Sequence, residues 1–425
     1  MLPLFLLRRE KYTAGFRQRL GNYPKFEHDG RAVVWLHCVS VGETNAARPL
    51  VDSLLYSFPD HRVIFSTTTK TGQDLAKKIF ADRAEAIFYF PFDWKFSVRR
   101  ALAHYNPSVV LLMETEIWPR FVREAAKGGS KIAIINGRLS PKSFGRYSKV
   151  RRFLSRILGD IDLALMQGES DAGRIVSLGM TAAKTRVTGN IKFDLEAAAA
   201  DADVTEYLAG RFKIDGRRPL IIAASTHEPE EEWVLDAYCS LAAGEPSPLP
   251  RLLIAPRHPE RFDSVAKMIS KFRSDPRCEW TRYSIARRSD EAQVQDVDAD
   301  IILLDSIGEL RSVYPLADIV FVGGSLIPHG GQSVLEPAAA EKAIITGPYV
   351  HNFEEVVRIF QTRGAIISIR DTERAKIVDA LFLAFADLIE NVEQRRDLGR
   401  MARAIMSENR GATEKTVELL KQEFS

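Results

Sequence analysis

The chain has 425 residues, of which 45% are hydrophobic and 27% charged, and its formal net charge is +3. This length allows two domains of ordinary size, and the composition excludes an intrinsically disordered chain. The halves differ in charge, because residues 1–190 carry 30 Lys and Arg against 17 Asp and Glu, whereas residues 191–425 carry 29 against 39. A basic first half indicates an anionic partner, such as a phosphorylated substrate, a membrane surface or nucleic acid.

Short apolar runs alternate with helical patterns through the first half of the chain. The runs predict strands at 33–38, 62–66, 86–90, 109–113, 131–135 and 163–167, and the longer patterns predict helices at 44–56, 73–80 and 117–126. This alternation predicts a mostly parallel sheet with helices on both faces. The apolar run at 2–7 is far shorter than the about 20 residues that cross a bilayer. It is either a frayed terminus or a short membrane contact.

The alternation stops at 194–205, which predicts a linker between two domains, at 1–195 and 206–425. It then resumes with strands predicted at 220–224, 251–255, 301–304, 319–322, 343–346 and 365–369, and with helices at 230–242, 260–272, 333–341 and 353–361. From residue 371 the pattern is mainly helical. We therefore expect two doubly wound, Rossmann-like α/β domains that face a cleft, with ligands beyond the carboxyl ends of the strands.

Carboxylates that follow two predicted strands of the first half are candidate catalytic groups. Glu43 begins a helix after the first strand, where it can act as a general base on an acceptor hydroxyl or can simply complement the helix dipole. Glu114 and Glu116 follow the fourth strand, and they are either a second polar point on the same rim or ordinary first-turn acids. Lys192, beside the predicted linker, can reach a phosphate.

A basic stretch follows the fifth predicted strand. It contains six basic residues with three aromatic residues between them: Lys142, Arg146, Lys149, Arg151, Arg152 and Arg156, with Phe144, Tyr147 and Phe153. Such a stretch can hold phosphates and rest on an anionic membrane, can bind nucleic acid, or can be a plain solvated helix face.

A glycine-rich segment late in the chain, from Gly330 to Glu336, predicts a nucleotide site. It follows one predicted strand and opens the predicted helix at 333–341. Backbone N–H groups of such a loop can bind a phosphate, and Glu336 can accept hydrogen bonds from a ribose diol. A dinucleotide-binding domain usually has its glycine loop near its beginning. The late position therefore indicates a transferase that takes a nucleotide-activated donor.

Polar residues follow three further predicted strands of the second half. Ser225 and Thr226 suit a helix cap or a phosphate contact, and Arg257 can pair bidentately with a phosphate or carboxylate. Backbone groups of Gly308 and Glu309 can hydrogen-bond to the edge of a base. Each point alone is compatible with helix capping, but together with the glycine loop they indicate one donor site.

Metal sites are not supported by the sequence. Asp298 and Asp300 form a DxD pattern, but they precede a predicted strand instead of following one. The sequence contains no HExxH, P-loop or GxSxG pattern. We therefore expect neither a metal nor another cofactor.

These motifs together resemble those of the 3-deoxy-D-manno-octulosonic acid (Kdo) transferases, lipopolysaccharide-building glycosyltransferases with a GT-B fold. The matching segments run in family order over nearly the whole chain: Ser40-Val41-Gly42-Glu43, Glu114-Thr115-Glu116-Ile117-Trp118-Pro119, Asn136-Gly137-Arg138-Leu139-Ser140, Gly189-Asn190-Ile191-Lys192-Phe193-Asp194, Ala224-Ser225-Thr226-His227, Pro256-Arg257-His258-Pro259-Glu260-Arg261 and Gly323-Gly324-Ser325-Leu326 with the following loop. Many family members have Asn-Pro where this chain has Ser333-Val334, so one contact to the nucleotide differs.

The resemblance implies inverting transfer of Kdo from CMP-Kdo to a phosphorylated lipid A precursor (lipid IVA). It implies Glu43 as general base, with Glu116 and Lys192 stabilising the transition state. The donor site that it indicates contains Ser225, Thr226, His227, Pro256, Arg257, His258, Ile307, Gly308, Glu309, Gly324, Ser325, Ser333, Val334, Leu335 and Glu336. The expected acceptor site contains Arg138, Ser140, Lys142, Arg146 and Arg151.

The resemblance also implies a location and leaves two alternatives. We expect a protein at the cytoplasmic face of the bacterial inner membrane, peripheral or with a short N-terminal anchor, that binds no nucleic acid. One alternative is a nucleotide-sugar 2-epimerase, which has the same architecture but gives the basic stretch no purpose. The other is a non-catalytic lipid A or nucleotide binder, and the presence of Glu43, Glu116 and Lys192 argues against it.

Overall fold

The computed structural model describes residues 14–195, 200–243, 248–272 and 284–424. The chain divides into two compact units, one formed by Met1–Leu195 with Asn409–Ser425 and the other by Glu196–Glu408. The apolar start at 2–7 and part of the predicted linker, 196–199, lie outside the described residues.

The first unit is built on a parallel sheet of seven strands in the order β3-β2-β1-β4-β5-β6-β7. The strands are β1 Ala32–Cys38, β2 His61–Thr67, β3 Ala86–Tyr89, β4 Val109–Met113, β5 Lys131–Gly137, β6 Leu163–Met166 and β7 Thr185–Val187. The helices are α1 Phe16–Arg19, α2 Val41–Ala46, α3 Arg48–Ser57, α4 Lys70–Phe80, α5 Lys95–Tyr105, α6 Pro119–Lys127, α7 Pro141–Ser148, α8 Arg151–Leu158, α9 Glu169–Leu178 and α10 Lys192–Leu195, with a 3-10 turn at Ala182–Lys184.

The second unit has the same kind of sheet, in the order β10-β11-β9-β8-β12-β13-β14. Its strands are β8 Leu220–Thr226, β9 Arg251–Pro256, β10 Ile285–Arg287, β11 Ile301–Leu303, β12 Ile319–Val322, β13 Ala343–Thr346 and β14 Ile367–Ser368. Its helices are α11 Ala202–Arg211, α12 Glu230–Ala243, α13 Phe262–Phe272, α14 Leu310–Val313, α15 Leu335–Ala339, α16 Glu354–Thr362, α17 Arg374–Glu390 and α18 Val392–Glu408, with 3-10 turns at Pro259–Arg261, Val294–Asp298 and Tyr314–Leu316.

The strand order reverses once in each sheet, and this fixes where ligands bind. In the first unit β1 pairs with β4, so the loops that follow these two strands lie side by side at the carboxyl edge. In the second unit β8 pairs with β12 in the same way. Open parallel sheets bind ligands in the crevice at such a switch point. The predicted catalytic carboxylates follow β1 and β4, and the predicted glycine segment follows β12.

The central strands are buried on both faces, which is why they appear in the sequence as continuous apolar runs. All five residues of β4 and six of the seven residues of β1 are buried. Helices on both faces of a parallel sheet exclude water from both sides of its strands. The predicted parallel α/β architecture is thereby confirmed in both units.

Two predicted helices differ from the structure, and two strands were not predicted. The helix predicted at 44–56 is two helices, α2 and α3, because Pro49 in the first turn of α3 has no N–H to continue the ladder. The helix predicted at 333–341 is only the five residues of α15. Two strands were missed, β7 and β10, because each has three residues and carries an arginine in place of an apolar run.

The last helix, α19 at Ala412–Phe424, belongs to the first unit and not to the second. The predicted boundary, which assigned 206–425 to one domain, is wrong for this segment. The physical reason is burial, because Val417 and Leu420 join the apolar cluster that contains Leu50 and Leu54 of α3. Asp194 also accepts hydrogen bonds from backbone nitrogens at the start of α19.

Candidate functional site

Glu43 lies in the first turn of α2, directly after β1. Its side chain reaches back, so that Val39 N donates to Oε2 at 2.7 Å and the Ser40 hydroxyl donates to Oε1 at 2.9 Å. Ser40 is also the N-cap of the helix and accepts from Glu43 N. This arrangement resembles a capping box, except that the backbone donor to Glu43 is Val39 and not the N-cap residue, and it fixes the carboxylate in one position. Only 7% of Glu43 is exposed.

Burial, followed by the nearby carboxylates of Glu114 and Glu116, raises the pKa of Glu43 to about 7. The hydrogen bonds from Val39 and Ser40 act in the opposite direction. The helix start was expected to lower the basicity of this group, but burial and like charge outweigh it. A carboxylate with a pKa near 7 is partly ionised at neutral pH, and in this ionised form it can accept a proton from a substrate, as a general base must.

Glu114 forms ion pairs with two basic side chains of the first unit. Its carboxylate lies 2.9 Å from Lys192 Nζ and 3.0 Å from Arg138 Nε. Glu114 and Thr115 both have positive φ, at 54° and 69°, which turns the chain sharply after β4. Positive φ in two consecutive non-glycine residues is strained, and such strain is concentrated at functional sites.

Asn136 holds the segment that carries Lys192. Its Oδ1 accepts from Ile191 N at 3.1 Å, and the residue has a positive φ of 49° at the end of β5. Asn190 Oδ1 accepts from Lys192 N at 3.0 Å, where α10 begins. These bonds bring Lys192 to Glu114, although the two residues are far apart in sequence. The predicted catalytic residues therefore form one cluster with Glu116, whose pKa is raised by burial and by Glu114.

The predicted acceptor residues separate into two groups. Arg138 joins the carboxylate cluster, and its backbone N donates to Thr115 Oγ1. Ser140 caps α7 by accepting from Ser143 N. Lys142, Arg146 and Arg151 are exposed on α7 and α8, where Arg146 donates to the Ser143 hydroxyl at 3.1 Å.

The basic surface of α7 and α8 comprises Lys142, Arg146, Lys149, Arg151, Arg152 and Arg156. None of these six residues forms an ion pair with a carboxylate in the described part of the chain. Two apolar residues on the same segment, Val150 and Phe153, are about half exposed, at 51% and 56%. Unpaired positive charge beside exposed apolar groups is typical of surfaces that bind anions at a lipid interface.

In the second unit, a cavity of about 250 Å³ lies at the switch point between β8 and β12. Its lining includes four predicted donor residues and four others: Ser225, Arg257, Ser333 and Glu336, with Ala224, Tyr314, Val322 and Gln332. Arg311 donates to Glu336 Oε1 from two nitrogens, which fixes the carboxylate at the wall of the cavity. The sequence analysis did not single out Arg311, Tyr314 or Gln332.

Glu230 holds the loops around this cavity, and the sequence analysis missed it. The side chain is fully buried and accepts three backbone hydrogen bonds, from His227 N, Gly324 N and Leu326 N. Gly324 in turn accepts from Gly331 N, so the bonds connect to the glycine loop. Burial raises the pKa of Glu230 to about 7. The sequence signal at this position was the run of three acidic residues at the start of α12.

The close approach of β8 and β12 requires glycine at position 323. A Cβ there would lie 2.6 Å from both Ser225 O and Thr226 Cα. Gly330 and Gly331 have positive φ, at 107° and 74°. These glycines therefore allow the close approach of the strands and the backbone conformation of the loop. The expected phosphate cradle at a helix start is weaker than predicted, because α15 has only five residues.

The other predicted donor residues are either buried or lie at the ends of β9 and β11 and in the loops that follow. Four are buried and can offer only backbone or indirect contacts: Thr226, Ser325, Val334 and Leu335. Pro256 ends β9, and Arg257 and His258 follow it in the loop. Ile307 is 80% exposed, and Gly308 has a φ of 90°. Glu309 is held by Arg288 Nη2 at 2.8 Å and by the Ser306 hydroxyl at 2.5 Å.

Within the described residues, no group of three or more His, Cys, Asp or Glu side chains is arranged to hold a metal ion. No helix in the described ranges is long and apolar enough to cross a membrane.

Comparisons of the sequence with a family model and with known proteins agree on one family. Residues 14–195 match the family described as 3-deoxy-D-manno-octulosonic-acid transferase (kdotransferase). A 3-deoxy-D-manno-octulosonic acid transferase of Haemophilus influenzae is 34% identical over 420 residues, which cover 99% of this chain and 94% of that protein. One from Bordetella pertussis is 33% identical over 396 residues, covering 92% and 87%.

Solved structures support the fold. A putative UDP-N-acetylglucosamine 2-epimerase from Listeria monocytogenes matches with a TM-score of 0.59 and 15% identity, over 93% of this chain and 97% of that one. A glycosyltransferase from Rickettsia africae matches with a TM-score of 0.55 and 11% identity, over 93% and 99%. At these identities the likeness shows the fold alone.

The two doubly wound sheets, each with polar residues at its switch point, are those of a protein of the GT-B fold. The near full-length identity to the Haemophilus and Bordetella proteins specifies the family. The chain belongs to the 3-deoxy-D-manno-octulosonic acid transferases.

Proposed function

We propose that this protein transfers Kdo from CMP-Kdo to a phosphorylated lipid A precursor, lipid IVA, in lipopolysaccharide synthesis. The observation that carries the proposal is Glu43, a buried carboxylate with a pKa raised to about 7 at the switch point of the first sheet. The reaction itself comes from the named relatives, and the residues of this chain fit its chemical requirements.

The first unit supplies the groups that act on the acceptor. The acceptor oxygen forms a bond to the anomeric carbon of Kdo while the bond from that carbon to the phosphate oxygen breaks, so that CMP leaves with the electron pair and the centre inverts. Glu43 takes the proton of the attacking hydroxyl. Lys192, Arg138 and Glu116 form the charged surroundings of this step, in which fixed charges stabilise an oxocarbenium-like transition state.

The second unit holds the donor. Glu336 accepts from the ribose hydroxyls, and Arg257 at the same cavity binds the phosphate. Ser333 replaces the usual asparagine, and its hydroxyl accepts from Leu335 N at 3.3 Å, so it caps α15 locally. Ile307 and the backbone of Gly308 face the base of the nucleotide.

The acceptor and the membrane meet the basic surface of α7 and α8. Lys142, Arg146 and Arg151 bind phosphates of the lipid acceptor, since they have no carboxylate partner in the described part of the chain. The neighbouring Phe153 enters the headgroup region. The protein acts as a peripheral protein at the cytoplasmic face of the bacterial inner membrane.

A sugar-nucleotide 2-epimerase is not favoured by any observation on this chain beyond the fold. Activity and binding assays with the full chain distinguish the transferase from the epimerase. We expect CMP release from CMP-Kdo only when lipid IVA is present, and no change in the proton NMR spectrum of UDP-N-acetylglucosamine. Appearance of the C2 epimer, or equal binding of UDP and CMP by calorimetry, would reject the proposed function.

A further inference from the structure

All four histidines of the second unit lie around its glycine loop. Of the eight histidines in the chain, these are His227, His258, His329 and His351. The ring of His227 is 4.0 Å from that of His329 and 5.2 Å from that of His258. A Cβ on Gly330 would lie 2.7 Å from His351 Nε2. The four imidazoles come from four different loops, so the fold and not local sequence gathers them.

This histidine cluster adjoins the donor cavity. The Gln332 side chain lies 3.2 Å from His227 Nε2, nitrogen to nitrogen, and also lines the cavity together with Arg257. A Cβ on Gly324 would lie 3.3 Å from the ring of His227 and 3.5 Å from Gln332. The absence of a side chain at Gly324 therefore leaves room for His227 and Gln332 to meet at the cavity.

The surroundings of His227 are electropositive. The pKa of His227 is lowered to about 4, first by burial and then by His329, His258, Arg257 and Arg261. Arg261 is neutralised by Glu231 at 2.5 Å, but Arg257 pairs with no carboxylate among the described residues. The facing acids are already engaged, since Glu230 accepts backbone bonds and Glu260 lies 3.7 Å from His258 Nδ1. Arg257 therefore carries the charge that an anion would balance, and Gln332 and the neutral imidazoles can add hydrogen bonds.

We propose that His227, His329 and Gln332, together with Arg257, form the subsite for the carboxylate of the donor sugar. The inference rests on the proposed function, because Kdo is an acid whose carboxylate is attached to the anomeric carbon, next to the phosphate. A subsite for that group must therefore adjoin the phosphate site, as the histidine cluster does. Neutral nucleotide sugars have no group to occupy it, so the cluster selects acidic donors.

The first test is binding of CMP and of CMP-Kdo to the full chain by calorimetry. Wild type is expected to bind CMP-Kdo more tightly than CMP. The variant His329→Gln is expected to lose about tenfold in affinity for CMP-Kdo and to keep its affinity for CMP within about twofold, because charge-assisted bonds to the carboxylate are lost. His28→Gln in the first unit is the control and changes neither value. Equal weakening for both ligands, or no weakening, would overturn the subsite.

A second measurement on wild type keeps the inference testable if the variant does not fold. An anion beside an imidazole favours the protonated form, so CMP-Kdo is expected to take up more protons on binding at pH 7 than CMP does. Calorimetry in two buffers of different ionisation enthalpy measures this uptake. Equal uptake for the two ligands would contradict the subsite. If wild type does not prefer CMP-Kdo to CMP at all, the proposed function fails with it, which is a separate outcome.

Discussion

The carboxylate of Glu114 lies 2.9 Å from the ammonium group of Lys192, and the same carboxylate lies 3.0 Å from Arg138. Glu114 therefore joins three segments that are distant in sequence, and it is also one of the charges that raise the pKa of Glu43. This one side chain contributes both to the position of the lysine and, after burial, to the raised pKa of the base.

The change Glu43→Gln removes the proposed base and keeps the size of the side chain. We expect kcat to fall by about 10²–10⁴-fold, the usual contribution of a general base, with the affinity for CMP unchanged. Steady-state transfer kinetics and calorimetry measure the two quantities. Glu85→Gln, an exposed carboxylate of the same unit, is the matched control. Loss of less than about fivefold would rule out Glu43 as the base.

The pH dependence of transfer should follow the ionisation of Glu43. Since its pKa is raised to about 7 and the base acts only when ionised, kcat/KM is expected to rise with pH through about 7. Glu114→Gln removes a like charge, so the rise should move to lower pH. A pH–rate profile of both proteins tests this. An acid limb that stays in place in the variant would show that Glu114 does not act on the base.

Glu230→Gln tests the loop network of the second unit. An amide has one acceptor oxygen for three N–H donors, so at least one buried N–H loses its partner, at a cost of about 1–3 kcal/mol in stability. We also expect weaker CMP binding, because the Gly324 loop positions the cavity. Urea unfolding and calorimetry measure the two effects. Retained stability together with full CMP affinity would contradict the positioning role.

The stability of wild type should also depend on pH through Glu230. Its folded pKa is about 7 and its ordinary value is 4.5, so between these values the folded state holds the proton more firmly than the unfolded state. Stability from this group is therefore present at low pH and is lost as the pH rises from about 4.5 to about 7. The Gln variant lacks this dependence. Unfolding at pH 5 and pH 8 should show a larger deficit of the variant at pH 5.

The basic surface of α7 and α8 should govern membrane binding. Replacing Lys142, Arg146 and Arg151 with glutamine is expected to weaken sedimentation with anionic vesicles about 100-fold and to raise the KM for the lipid acceptor. The matched control replaces three exposed lysines of α4, Lys70, Lys77 and Lys78. Equal loss in the control would mean that overall charge, and not this surface, determines binding.

The sequence predicted the parts of the fold that depend on burial. Central strands such as β4 and β12 were predicted with their exact bounds, because a strand covered on both faces must be apolar throughout. Edge strands such as β7 and β10 have a neighbouring strand on one side only, and their sequences contain no such apolar run. The placement of α19 in the first unit was wrong, because an amphipathic helix does not encode which core it will cover.

The residues of the candidate site that carry local sequence signals were predicted. The residues that only hold loops or side chains of the site in place were missed. Glu43 could be found because it lies just beyond a strand end, and Glu336 because it closes a glycine-rich segment at a helix start. Glu230 was missed because it lies inside a run of acidic residues that reads as an ordinary helix start. Arg311 was missed for a related reason, since its part in the site comes from its bonds to Glu336. Such long-range partners are set by the tertiary fold.

The most direct test of the central claim is mass spectrometry of lipid IVA after incubation with CMP-Kdo and the full chain. The account predicts a mass gain of one or more Kdo units with wild type, a strongly reduced gain with Glu43→Gln, and no gain with UDP-N-acetylglucosamine as donor. No gain with a folded, CMP-binding wild type would contradict the proposed transfer to this acceptor. A full gain with Glu43→Gln would leave the transfer in place and remove Glu43 as its base.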